Sequence, residues 1–173
     1  NLQLSIGNVA SEQLPALRAA TRGLVSDQNL LQAANQAVLL GVDDGSGRFA
    51  ELTTAAIKLG DAMDITATNA INSLTVGIGR QSRLVLDNLG VIVRAEEAYQ
   101  DYAREIGKVS EELTDQERKL AFNEAAFDAV TKKAEQLAEA ENTAGRASQR
   151  LGASIDNLNN SLILAFSENE RLA

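Results

Sequence analysis

Residues 65–107, ITATNAINSLTVGIGRQSRLVLDNLGVIVRAEEAYQDYAREIG, decide the fold class. Ala67, Ile71, Leu74 and Ile78 recur at the three- and four-residue spacing of a helix with one apolar face, and Thr66 stands where its hydroxyl can cap that helix. Gly77 and Gly79 are expected to weaken its end. Ser82 is placed to cap a shorter helix carrying Leu86 and Leu89, closed by the turn Asp87-Asn88-Leu89-Gly90. Val91, Ile92 and Val93 form an extended run too short to imply a sheet. Ala95, Ala98, Tyr99, Tyr102 and Ile106 then share one face of a helix that Gly107 ends.

Towards the N-terminus the same grammar continues. Residues 1–10 carry little pattern and read as a frayed end or the tail of an upstream helix. Ser11 is expected to cap a first helix with Pro15 in its opening turn, where a missing N–H costs least. Leu14, Leu17 and Leu24 share a stripe, with Gly23 as a stop or kink. A second helix is expected from the Ser26 cap to Gly41, through Leu30, Leu31, Ala34, Ala37 and Val38. The run 42–47, VDDGSG, reads as a surface turn, because it lacks the acid spacing and the final Glu of a calcium loop. A third helix is expected from about Arg48 to Met63, with Leu52, Ala55, Ala56 and Leu59 inward.

Towards the C-terminus, Thr114 and Glu117 form a capping box, the strongest helix start in the chain. Its helix is expected to reach about Glu141, with Leu120, Phe127, Val130, Ala134 and Leu137 on one stripe, Phe122, Ala126 and Ala129 on another, and an Asp128–Lys132 pair on the surface. Leu151, Ile155, Leu158, Leu162 and Ala165 are spaced four, three, four and three residues apart, and the period continues through Asn169 to Leu172. That is a heptad seam, so residues 142–173 read as a coiled-coil helix able to self-associate. Asn157, Asn159 and Asn160 are expected to be its solvated flanks.

Composition agrees. Of 173 residues 45% are hydrophobic but only 3% aromatic, so a core has to be built from Leu, Ile, Val and Ala. A single proline among Ala-, Leu-, Glu- and Gln-rich runs points to an all-α chain. The expected architecture is a compact module of several short helices over residues 11–141, followed by long helices ending in the coiled-coil segment. The chain starts at Asn1 and has its one methionine at Met63, which suggests a piece of something longer. No apolar run reaches membrane-spanning length and no signal-peptide pattern opens it.

Function classes narrow by elimination. Cysteine and histidine are absent, which removes disulfides, thiolate nucleophiles, imidazole bases and the usual zinc sets. No cofactor, metal or catalytic residue is predicted. The segment Gly77-Ile78-Gly79-Arg80-Gln81-Ser82 follows a helix, not a strand, and lacks the third glycine and the lysine of a phosphate loop. Glu96-Glu97 and Glu111-Glu112 stand about 100° apart on a helix and suit solvated helix starts better than paired catalytic acids. The net charge is −8, with 13 acids against 6 bases in residues 96–141 alone. That sign repels phosphate. Arg80, Arg83 and Arg94 form the one basic island, readable either as a helix-turn-helix surface or as partners for the acidic helices that follow.

Residues 65–107, extended by Ser110-Glu-Glu-Leu-Thr114 and Glu117-Arg-Lys-Leu-Ala-Phe122, resemble the helical module of phage tail tape measure proteins. The resemblance lies in an arginine, a leucine-rich Asp-Asn-Leu-Gly turn, a Glu-Ala-Tyr helix and a Gly-Lys helix stop in that order. It also takes in Val25-Ser-Asp-Gln-Asn-Leu-Leu31 and Ala34-Asn-Gln-Ala-Val-Leu-Leu-Gly41, and so most of the chain. It implies a structural virion protein that lies in the tail lumen, sets tail length by templating tube polymerisation and leaves at DNA ejection. The implied partners are further copies of the chain, as a trimer or another oligomer, the tail tube protein, tail assembly chaperones and tail tip proteins. Assembly would take place in the host cytoplasm, with no specific nucleic acid and no membrane contact by this segment. A cellular helical adaptor or signalling coil, and a part of a tail-associated peptidoglycan hydrolase, are the alternatives.

Overall fold

A computed structural model describes residues 2–43, 47–137 and 144–170, with side chains over 12–43, 47–137 and 147–165. The described residues are helical throughout, with turns between and no strand. The helices are α1 (Leu2–Thr21), α2 (Asp27–Leu40), α3 (Arg48–Ala62), α4 (Ala67–Gly79), α5 (Arg83–Asp87), α6 (Ala95–Glu105), α7 (Asp115–Gln136) and α8 (Ala144–Glu170), with one 3-10 turn, Ser110–Glu112.

The predicted caps explain most boundaries. Ser26, Thr66, Ser82 and Thr114 each accept from the backbone N–H three residues on, satisfying a donor the helix leaves open. Thr114 and Glu117 complete the reciprocal box, with the Glu117 carboxylate accepting from the Thr114 N–H at 2.8 Å. At the other end of α2, Gly41 takes φ +68, the left-handed conformation that a terminating glycine adopts without strain.

One hydrophobic cluster runs from Leu17 to Ala134. α3 and α4 pack on each other at its centre, α1 and α2 lie together on one side, and α7 lies across α3 and α4 on the other, with α6 against α7. Phe49, Phe122, Leu30, Leu52, Ile71 and Leu74 are fully buried in it. Val91 and Val93 are buried while Ile92 between them is exposed, the alternation of an extended strap whose two faces differ.

Several expectations need correction. α1 starts at Leu2, so residues 2–10 are helical and Ser11 lies inside the helix and is not its cap. Leu2, Ile6, Val9 and Ala10 extend the period of Leu14 and Leu17, and Pro15 is accommodated inside the helix on its exposed side, where water can take the carbonyl it leaves without a donor. α7 ends at Gln136, short of Glu141, because Leu137 turns to ψ 132 and packs its side chain against the core. Leu120 is exposed and departs from the expected stripe, whereas Ala121, Phe122, Ala126, Phe127, Val130 and Ala134 are buried, and Asp128 and Lys132 form no ion pair among the described residues.

Gly77 and Gly79 fall in the last turn of α4, which ends at Gly79 as expected, and they have a second role in packing. A Cβ on Gly77 would come within 2.8 Å of Leu86 Cδ2, and one on Gly79 within 2.5 Å of Leu40 Cβ. These glycines let α2 and α5 approach the α4 backbone.

Candidate functional site

The residues with the clearest unmet physical requirement are on α8. Leu151, Ile155, Leu158 and Leu162 are 63%, 48%, 60% and 47% exposed. Ala165 is exposed as well, and Leu172 lies outside the described residues. Ile163 and Leu164 are also exposed but lie off this seam, Leu164 in line with Asn157 and Asn160. The predicted self-association residues up to Ala165 therefore share one outward face, and no second helix among the described residues covers that face.

The opposite face of α8 is held to the module by polar groups. The Asn157 amide oxygen accepts from the Asp27 N–H at 2.9 Å, and the Gln149 amide oxygen accepts from the Ala67 N–H at 3.1 Å. Arg150 Nε donates to the Arg22 carbonyl at 3.2 Å, and Asn160 Nδ2 donates to Gln28 Oε1 at 3.2 Å. Ala153 is the one apolar residue of this face that is buried among the described residues. The expectation that Asn157 and Asn160 are solvated flanks is thus overturned, while Asn159 is exposed as expected. A second stripe, Arg150, Ala153, Asn157 and Asn160, spaced three, four and three, was visible in the sequence but is polar. A search for apolar periodicity passes over it.

The signature turn Asp87-Asn88-Leu89-Gly90 is a structural element. Leu89 is buried, the Gly90 N–H donates to the Asp87 carbonyl at 2.8 Å, and Gly90 has φ +69. The turn brings Val91 back onto the core, where its N–H donates to the Leu86 carbonyl at 3.0 Å.

Of the basic island, Arg83 pairs with Glu96 and Arg94 with Glu97, both at 3.5 Å, while Arg80 is exposed and makes no ion pair among the described residues. Such exposed pairs contribute little to stability, about 0–1 kcal/mol each. They do reduce the positive charge that a phosphate backbone would need. Glu96 and Glu97 occupy the first turn of α6, and Glu111 and Glu112 the 3-10 turn, all exposed. Asp43 departs from the expected surface turn: it is buried, and it accepts from Gln13 Nε2 at 2.7 Å.

A cleft of about 230 Å³ opens beside Gly41, between Arg48, Tyr102, Leu120, Asn123 and Phe127. Arg48 lies 4.3 Å from the centre of the Phe127 ring, and Asn123 Nδ2 donates to the Gly41 carbonyl at 2.9 Å. These groups brace α7 against the loop after α2, and they contain no nucleophile paired with a base. Among the described residues no helix is long and apolar enough to cross a membrane. No family model matches the chain, and no solved structure matches it.

Proposed function

We propose that this chain is the helical part of a phage tail tape measure protein, a structural virion component that acts by packing and self-association and carries out no chemistry. The observation that carries the proposal is the outward apolar face of α8, together with the sequence features that resemble that family. An apolar stripe repeating every three and four residues is self-complementary, because the same knobs and holes recur on every copy. A second copy of the chain is therefore the occupant proposed for Leu151, Ile155, Leu158, Leu162 and Ala165.

In this reading the module of α1–α7 is a compact bead and α8 leads into a bundled rod in the tail lumen. A helical rod converts chain length to tube length at a fixed rise of ~1.5 Å per residue, so the tube protein can polymerise along it until it ends. Tail assembly chaperones would cover the chain before the tube does, and tail tip proteins would hold one end. The acid excess of residues 96–141 would keep DNA from adhering as it follows the chain out.

Sedimentation velocity of the intact chain tests the self-association on which this rests. The expected result is a mass that rises with concentration and falls to that of a monomer in Leu158→Ser/Leu162→Ser. Equal masses for the two proteins would contradict it. A cellular adaptor would also self-associate, and the neighbouring genes separate the two readings: a tail tube gene and a tail chaperone gene are expected beside this one.

A further inference from the structure

We infer that the polar face of α8 is a clasp that lets this helix form only on a folded module, and so licenses self-association; the licensing rests on the self-association proposed above. Three observations lead there.

The first is where the polar groups land. Asp27 and Ala67 are the first residues of α2 and α4, and their N–H groups have no acceptor within their own helices. Ser26 and Thr66 accept only from the N–H groups of Asn29 and Asn69, which leaves Asp27 and Ala67 open to Asn157 and Gln149. Arg150 meanwhile donates to the carbonyl of Arg22, just past the end of α1. One face of α8 thus reads the ends of three helices. Gln149 and Asn157 lie eight residues apart, about 12 Å along the axis, so the two N-termini have to stand at that spacing before both bonds form.

The second is the intrinsic weakness of α8. Its sequence, AGRASQRLGASIDNLNNSLILAFSENE, is rich in Gly, Ser and Asn, all poorer helix formers than Ala or Leu. An isolated helix of that composition is marginal in water. The third is the direction of the seam. With the polar face docked, Leu151, Ile155, Leu158 and Leu162 point outward together, so a partner meets a preformed stripe and the ordering cost is already met.

Hydrogen exchange on the full chain gives a test whose sign distinguishes the clasp from ordinary helix stability. Ala is a better helix former than Asn or Gln, so in a self-sufficient α8 the double substitution Gln149→Ala/Asn157→Ala would slow exchange over residues 147–165. The clasp predicts the reverse: exchange there speeds at least fivefold, and the Asp27 and Ala67 amides lose their protection. Gln149→Glu, which keeps an acceptor oxygen, retains protection at Ala67. By sedimentation the double variant self-associates at least tenfold more weakly although its seam is intact, whereas Leu158→Ser/Leu162→Ser abolishes association and keeps Asp27 and Ala67 protected. Unchanged or slower exchange over 147–165 in the double variant overturns the clasp. A wild-type chain that stays monomeric, with Asp27 and Ala67 protected, overturns the proposed self-association and the licensing while the clasp stands.

Discussion

Gly79 faces Leu40 so closely that a Cβ on the glycine would lie 2.5 Å from the leucine Cβ. That atom is fixed to the α2 backbone and cannot rotate away, so a side chain at residue 79 has to push two helices apart. Gly79→Ala gains up to about 1 kcal/mol of helix propensity and costs about 1–3 kcal/mol in overpacking, for a net loss of stability. Gly152 is the control: a Cβ there meets nothing within 4 Å, so Gly152→Ala keeps the propensity gain. Thermal unfolding is expected to show a lower midpoint for the first variant and an equal or higher one for the second.

Gly90 tests the turn that carries the family resemblance. Its φ of +69 costs an L-residue about 1–2 kcal/mol. A Cβ would also come within 2.9 Å of Met63 Cε, the flexible end of a side chain that can move aside. Gly90→Ala is therefore expected to lower stability by about 1–2 kcal/mol, almost all of it from the backbone. Denaturant titration measures the change, and Met63→Ala added to it should recover little.

The helix start at Thr114 has a pH signature. The Lys108 ammonium donates to Glu117, the Thr114 N–H and hydroxyl donate to it as well, and together they hold its carboxyl at about 2. A pKa lowered by folding stabilises the folded chain fully above the unfolded glutamate value, and that contribution is lost as pH falls from about 4.5 towards 2. Glu117→Gln should therefore be less stable than the wild type at pH 6, with the gap narrowing as pH falls from about 4.5 towards 2 in thermal melts. A gap independent of pH would place the effect elsewhere.

How much of this could be read from the sequence depended on whether the signal was local. The Ser26, Thr66, Ser82 and Thr114 caps and the Gly41, Gly90 and Gly107 turns are local chemistry, and each lies where the residues pointed. Gly77 and Gly79 lie at the end of α4 as expected, but their close approach to Leu86 and Leu40 was not legible, because helix termination and close packing call for the same residue. Leu137 leaves its helix to reach the core, a tertiary effect that propensity does not contain. On α8 the apolar stripe was plain, but which face would dock was not. Asn157 and Gln149 find partners 130 and 82 residues away, on helix ends whose spacing exists only after folding.

Tail length is the property that speaks most directly to the proposed role. Inserting four heptads into the seam, between Ala165 and Phe166 in the phage that the proposal expects to encode this chain, adds 28 residues and about 42 Å of helix at 1.5 Å per residue. Electron microscopy of the resulting virions is expected to show tails longer by about that amount and uniform in length. Tails of unchanged length, with the inserted chain present in the particles, would contradict the proposal.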